Sequence, residues 1–270
     1  MKSWSKSEVG LVTVTFRQLS PEKIVETAKF AGLEVLEWGG DVHVPAGDTQ
    51  RAREVAVLTQ EAGLRTVCYG SYYRVGHPGE NGGPHFSVVL ETAQALCAPL
   101  IRVWAGVKGS EDADDGYFEK VCVDAVSIAD AAAVQGLKVA FEFHGGTLAD
   151  TPASAHRLYS ALDHRNISAL WQPLPSLDRA AQDESLEVVL PRLAHVHVYH
   201  WLPGPTLERR PLVEGKAAWL TWMERIAEAG QYPDYLLEFV TDDNPSHLVA
   251  DAENLKLWLA GTPQRNGNIS

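Results

Sequence analysis

The residues able to do chemistry sit at the ends of apolar runs. Glu37 closes LEVLEW, Arg102 and Trp104 lie in LIRVWAG, Glu142 and His144 end LKVAFEF and its continuation, Gln172 ends ISALWQ, His195 and His197 alternate in LAHVHVYH, and Glu238 interrupts YLLEFV. A carboxylate carried into an apolar interior is costly unless it meets a cation or a metal. Side chains alternate along a strand, so Glu142 and His144 share a face, as do His195 and His197, and Arg102 and Trp104. If four consecutive strands bring their ends together, Glu142, Gln172, His197 and Glu238 converge on one point. Two carboxylates, one imidazole and one amide oxygen suit a single divalent ion, Mn²⁺, Mg²⁺, Co²⁺ or Zn²⁺. Simpler readings stand beside this one: Glu142 paired with Arg102 on the neighbouring strand, His195 as a core or supporting histidine, His197 as a core histidine, and Glu238 as a rim charge. Four tryptophans, Trp38, Trp104, Trp171 and Trp201, fall at strand ends or just past them. Flat rings with one polar edge suit the C–H faces of a sugar, as well as any hydrophobic ligand.

The elements that must position these groups alternate along the whole chain. Eight β-rich runs, VGLVTVTF, LEVLEW, LRTVCYG, LIRVWAG, LKVAFEF, ISALWQ, LAHVHVYH and YLLEFV, are separated by amphipathic stretches. Helix starts are expected at Ser20-Pro21-Glu22, Asp48, near Pro84, near Asp114, at Thr151-Pro152, near Asp178, near Lys216 and at Asn244-Pro245. Ser20 and Thr151, each followed by proline, read as N-caps with proline in the first turn. AGLEVLE, AGLRTVC and QGLKVAF repeat one device, a glycine ending a helix and a leucine entering the next strand. Eight such units predict a single-domain (β/α)₈ TIM barrel over residues 1–270, with the site at the carboxyl ends of the strands. An open doubly wound sheet would bring G-x-G-x-x-G after its first strand, and that motif is absent.

Composition narrows the partners. A 270-residue chain with 45% hydrophobic residues can bury one large core. Its net charge of −12 disfavours nucleic acid, whose binders gather Lys and Arg on one face. The N-terminal stretch lacks an apolar leader and no run is long enough to span a membrane, so the expected location is the cytoplasm. Cys68, Cys97 and Cys122 show no C-x-x-C spacing and read as reduced thiols. Trp219, Trp222 and Trp258 on late helices leave core and subunit interface open, which keeps a homo-oligomer among the expected partners.

IRVWAG on the fourth strand, FEFHGGTLADT on the fifth, HVHVYHW on the seventh and LLEFV on the eighth resemble the strand-end motifs of the sugar phosphate isomerase/epimerase group of the xylose isomerase-like barrel superfamily. The resemblance implies a divalent metal held by Glu142, by the sixth-strand position Gln172, by His197 and by Glu238. It also implies a small carbohydrate substrate, and proton transfer next to a carbonyl through an enediolate, with Glu142 and Glu238 as the two proton carriers. His144, Arg102, Trp104, Trp38, Trp171 and Trp201 are expected to hold the substrate, with His195 supporting the metal ligands. Lys216, or the Arg209-Arg210 pair, is the expected loop cation that closes over the ligand. The family usually places Asp on the sixth strand and a histidine three residues later, whereas this chain has Gln172-Pro173-Leu174-Pro175. The amide keeps an oxygen but removes one negative charge. A metal-dependent lyase, dehydratase or deglycosidase acting on an oxidised sugar or inositol derivative uses the same parts, and a catalytically silent sugar-binding barrel is the non-enzymatic alternative. The superfamily's DNA-repair branch needs more His and Asp ligands and a basic face.

Overall fold

The computed structural model describes residues 7–79, 83–204 and 207–261. Eight parallel strands close into a barrel: β1 (Val9–Val12), β2 (Val35–Gly39), β3 (Arg65–Arg74), β4 (Leu100–Trp104), β5 (Lys138–Glu142), β6 (Ile167–Trp171), β7 (Leu193–Val198) and β10 (Asp234–Leu237). β10 closes the ring by pairing with both β7 and β1. A short antiparallel hairpin, β8 (Trp201–Leu202) and β9 (Glu208–Arg209), rises from the loop after β7.

The helices begin where their caps dictate. Side-chain oxygens of Ser20, Asp48, Asp114, Thr151 and Asp178 each accept a backbone N–H one turn on, satisfying donors that the first turn leaves unpaired. They open α1 (Pro21–Phe30), α2 (Thr49–Glu61), α4 (Asp115–Val134), α5 (Pro152–Ala161) and α6 (Arg179–Val189). α3 (Phe86–Ala95), α7 (Lys216–Glu228) and α8 (Pro245–Gly261) complete the outer ring. Gly32 and Gly63, which end the first two repeats, take φ of 64° and 77°, the left-handed turn that a side chain would strain.

Three strands depart most from their expected lengths. The first ladder stops at Val12 and the chain turns through a 3₁₀ segment, Thr13–Phe16. The threonine hydroxyls cause this: Thr15 donates to the Val12 carbonyl at 2.7 Å and accepts from Phe239 N at 2.9 Å, while Thr13 accepts from Gly39 N at 3.0 Å. Such local bonds offer the backbone an alternative to the ladder. β3 runs on to Arg74 through a register shift between Gly70 and Tyr73, where Tyr72 adopts φ 58°. β10 ends at Leu237, and Phe239 follows with φ 50°.

The main core lies between the barrel wall and the helices, and two of the expected substrate contacts belong to it. Trp38 and Trp171 are fully buried. Their indoles donate outward, Trp38 to Thr59 Oγ1 of α2 at 3.2 Å and Trp171 to Ser185 Oγ of α6 at 2.9 Å. Trp171 meets Trp219 and Trp222 edge to face, with centroids 6.1 and 5.2 Å away. Strand alternation explains the correction: Glu37 and Gln172 point inward, so the adjacent tryptophans must point out. Trp219, Trp222 and Trp258 are likewise buried in this core.

Candidate metal centre and substrate pocket

At the carboxyl ends of the strands four side chains form one connected group. His197, next to last in β7, has both ring nitrogens facing carboxylates. Its Nε2 lies 3.0 Å from Glu37 Oε2, and a carboxylate can only accept, so that nitrogen carries the proton. Its Nδ1 is 3.5 Å from Glu142 Oε1 and 3.6 Å from Glu238 Oε2, is buried, and has no hydrogen-bond partner. An orphaned imidazole nitrogen aimed between two carboxylates is the donor set that a divalent ion completes. Glu142, His197 and Glu238 offer ligand atoms within 4.8 Å of one another. The residues present therefore fit a divalent cation, and Glu37 is the group that fixes the histidine tautomer for it.

The two candidate proton carriers sit in opposite surroundings. Glu142 is well supplied with donors: Oε2 accepts from Arg102 Nη1 at 2.7 Å and from Trp104 Nε1 at 2.6 Å, and Oε1 accepts from Gln172 Nε2 at 2.8 Å, which leaves Oε1 one lone pair for an ion. Burial would raise its pKa, but the Arg102 charge, joined by His197, holds it well below the usual carboxylate range. Glu238 accepts none of these side-chain bonds. Burial pushes it up to about 7, with His197 opposing. His197 itself is held well above its ordinary value: burial lowers it, but Glu37 and Glu238 outweigh that cost. Environments that separate two acids in this way divide their chemical roles.

Arg102 links the group to the barrel floor. Its Nε donates to Glu37 Oε1 at 3.0 Å, so one buried guanidinium serves two buried carboxylates. Glycine at position 70 makes room for it: a Cβ there would stand 2.6 Å from Arg102 Nη2 and 2.8 Å from Glu37 Oε1. The pairing of Glu142 with Arg102 and its place beside His197 thus coexist.

Gln172 is placed by its amide nitrogen, which donates to Glu142 Oε1 and to the Phe143 carbonyl at 3.1 Å. Two pure acceptors fix that orientation, and the amide oxygen is the atom left over. His195 lies lower, beside Asp234 with Nδ1 3.8 Å from Oδ2, and makes none of the hydrogen bonds that hold Glu142 or His197.

Above the acids lies a cavity of about 550 Å³, bordered by Arg102, Trp104, Glu142, His144, Gln172, Trp201 and Glu238 among others. Arg102, Trp104, His144 and Trp201 therefore stand where the sequence led one to expect substrate contacts. His144 Nδ1 donates to the Gly145 carbonyl at 2.7 Å, which leaves Nε2 as its free nitrogen. Lys216 opens α7 and does not border the cavity, nor do Arg209 and Arg210, which pair with Asp243 and with Glu208 and Glu214. Tyr72, Arg17, Tyr199 and Phe239 also border it and were not anticipated. Tyr72 could not be read from sequence because it enters only through the bulge in β3. Glu37 closes its strand as visibly as Glu142 does, and that position was the available signal.

A family model described as a xylose isomerase-like TIM barrel matches residues 23–259. No functionally curated protein matches. Among solved structures, a probable 3-DHS dehydratase involved in petrobactin synthesis in Bacillus anthracis superposes with a TM-score of 0.74 at 19% identity, over 93% of this chain and 98% of the other. A xylose isomerase-like TIM barrel protein from Mycobacterium smegmatis in complex with magnesium gives 0.75 at 16%, over 96% and 98%. A 3-keto-D-glucoside 4-epimerase from E. coli gives 0.68 at 18%, over 94% and 99%. At these identities the likeness is one of fold.

Proposed function

Because the chain belongs to the xylose isomerase-like TIM barrel family, we propose that it is a divalent-metal-dependent isomerase or epimerase of a sugar or related polyol ketone, moving a proton next to a carbonyl. The observation that carries this reading is the unpartnered Nδ1 of His197, directed between Glu142 and Glu238 on the floor of the cavity. Neighbours whose names record epimerisation and dehydration, and one bound to magnesium, support it. Glu142, His197 and Glu238 would hold the ion, with the Gln172 oxygen as the neutral fourth ligand. The ion supplies positive charge that polarises a substrate carbonyl and acidifies the neighbouring C–H.

The protein's own groups divide the remaining work. Glu238, which accepts no side-chain hydrogen bond among the described residues, takes the proton and returns it on the same face to the neighbouring carbon, as an isomerisation requires. Inversion at one carbon would need a second carrier on the opposite face, so this asymmetry favours isomerisation over epimerisation. Glu142, its oxygens occupied by Arg102, Trp104 and Gln172, holds charge in place rather than carrying protons. His144 Nε2 orients substrate oxygens, Arg102 holds the Glu142 carboxylate in place, and Trp104 and Trp201 cover the substrate's C–H faces.

The same asymmetry favours a second reading. One free proton carrier beside a carbonyl is sufficient for elimination, so a lyase or dehydratase acting on an oxidised sugar or inositol derivative is the competing proposal. Incubating Mn²⁺-loaded protein with D-fructose, D-allulose, D-xylulose and a 3-keto-glucoside in D₂O separates the two. Deuterium at one carbon with a new epimer or isomer supports the first, and an unsaturated or released product supports the second. Exchange that persists in Glu238→Gln would remove the proton carrier assigned here.

A further inference from the structure

The cavity has two zones. Polar groups collect on its floor, around Glu142, Glu238, Gln172 and His144, whereas the outer wall is apolar and aromatic: Tyr72, Leu174, Pro175, Trp201, Leu207 and Phe239. Trp201 is half-buried, stacks on Tyr199 with centroids 4.0 Å apart at 19°, and meets Phe239 at 5.6 Å. The guanidinium of Arg209 caps Phe239 at 4.4 Å and is paired with Asp243, so the aromatic rim is braced from outside. A volume of about 550 Å³ falls in the range of pockets that engulf a drug-sized ligand, about 300–1,000 Å³.

The arginines facing this space are already committed. Arg17 uses all three guanidinium nitrogens: Nε to Asp41, Nη1 to the Val14 carbonyl and Nη2 to the Tyr72 hydroxyl. Arg102 serves Glu37 and Glu142. Among the described residues the cavity border holds no other Arg or Lys. A phosphate or carboxylate on the substituent, away from the floor, would meet no open guanidinium or ammonium on the cavity border.

Resting on the carbohydrate reading of the floor, we infer that the substrate is uncharged and bipartite: a polyol or keto-sugar part bound over Glu142 and Glu238, joined to a flat apolar substituent that seats against Trp201, Phe239 and Leu207. The outer wall is then an aglycone subsite. Its specificity lies in desolvating an aromatic or cyclic apolar group, which a free monosaccharide cannot offer.

Matched ligands test this on the Mn²⁺-loaded protein by calorimetry: methyl and phenyl β-D-glucopyranoside, methyl and phenyl β-D-xylopyranoside, and D-glucose 6-phosphate. The expected result is phenyl binding at least ten-fold tighter than methyl, with the phosphate no tighter than the methyl glucoside. Trp201→Ala should collapse the phenyl-to-methyl ratio toward one. Equal binding of phenyl and methyl glycosides, or tighter binding of the phosphate, overturns the subsite while leaving the carbohydrate reading standing. Failure of every glycoside to bind while D-fructose or D-allulose still binds overturns the subsite alone, and failure of the ketoses as well overturns both.

Discussion

Gln172→Glu would replace the amide nitrogen that bridges Glu142 and the Phe143 carbonyl by an oxygen of the same size. A second carboxylate would then face Glu142 Oε1 across a separation of 2.8 Å. At an effective dielectric constant near 20 the repulsion is about 6 kcal/mol. The new acid can escape by keeping its proton, and for a carboxyl of ordinary pKa this costs about 3.7 kcal/mol at pH 7 but only about 1 kcal/mol at pH 5. Protonation is the cheaper route, so it limits the charge penalty. Loss of the bond to Phe143 adds about 1 kcal/mol at either pH. The metal-free variant should therefore melt about 10 °C below the native protein at pH 7 and much closer to it at pH 5. Thermal unfolding in EDTA, followed by circular dichroism at both pH values, measures this. Saturating Mn²⁺ should restore more stability to the variant than to the native protein, since three carboxylates then face the ion instead of two. A deficit that is the same at pH 5 and pH 7, or absent at pH 7, would show that the amide nitrogen does not face Glu142.

Metal binding should release protons near neutrality and tighten as pH rises. Burial pushes Glu238 up to about 7, and the Glu37 and Glu238 charges hold His197 above its ordinary value against the cost of burial, so both bind protons that an ion must displace. Mn²⁺ titration by calorimetry in phosphate and in Tris should give different enthalpies, and identical values would refute the exchange. Away from the site, burial raises Asp251 to about 6 from 3.8, while its Oδ1 accepts Leu212 N–H at 3.0 Å. The folded state then holds the proton more tightly than the unfolded chain, so stability is lost as pH climbs from 3.8 through 6. Asp251→Asn keeps the acceptor and should gain about 1–3 kcal/mol above pH 6 and nothing below pH 4. Urea denaturation at pH 7.5 and pH 4 checks it, and a less stable variant at pH 7.5 would count against this account.

The barrel was legible because its signals are local. Caps at Ser20, Asp48, Asp114, Thr151 and Asp178, and glycines at Gly32 and Gly63, fix where elements start and stop with no need of distant contacts. Alternation placed Glu142 and His197 on the inner face of their strands, and Glu238 just past the end of its own. The same rule, applied one residue further, would have turned Trp38 and Trp171 outward, but an aromatic residue at a strand end looks alike whichever layer it faces. Tyr72 and Phe239 depended on positive φ at non-glycine positions, which residue type does not announce. The service of Arg102 to two carboxylates at once depended on Gly70, which lets its guanidinium pass over β3 to Glu37 on β2, and the meeting of Glu37 with His197 of β7 depended on closure of the ring. Gln172 was visible as a departure, yet the direction of its amide was not, because that is set by the Phe143 carbonyl on the adjacent strand.

The separation of the tryptophans into two layers gives the molecule two optical reporters. Trp171, Trp219 and Trp222 lie within 5.1–6.1 Å of one another, edge to face, between barrel and helices. Such a cluster couples its transitions and contributes to near-ultraviolet dichroism as a signal of fold integrity. Trp104 and Trp201 border the cavity, and Trp104 donates to Glu142 itself, so emission changes on adding metal or glycoside report occupancy. Loss of structure and loss of binding in a variant can thus be told apart in one cuvette, without any label.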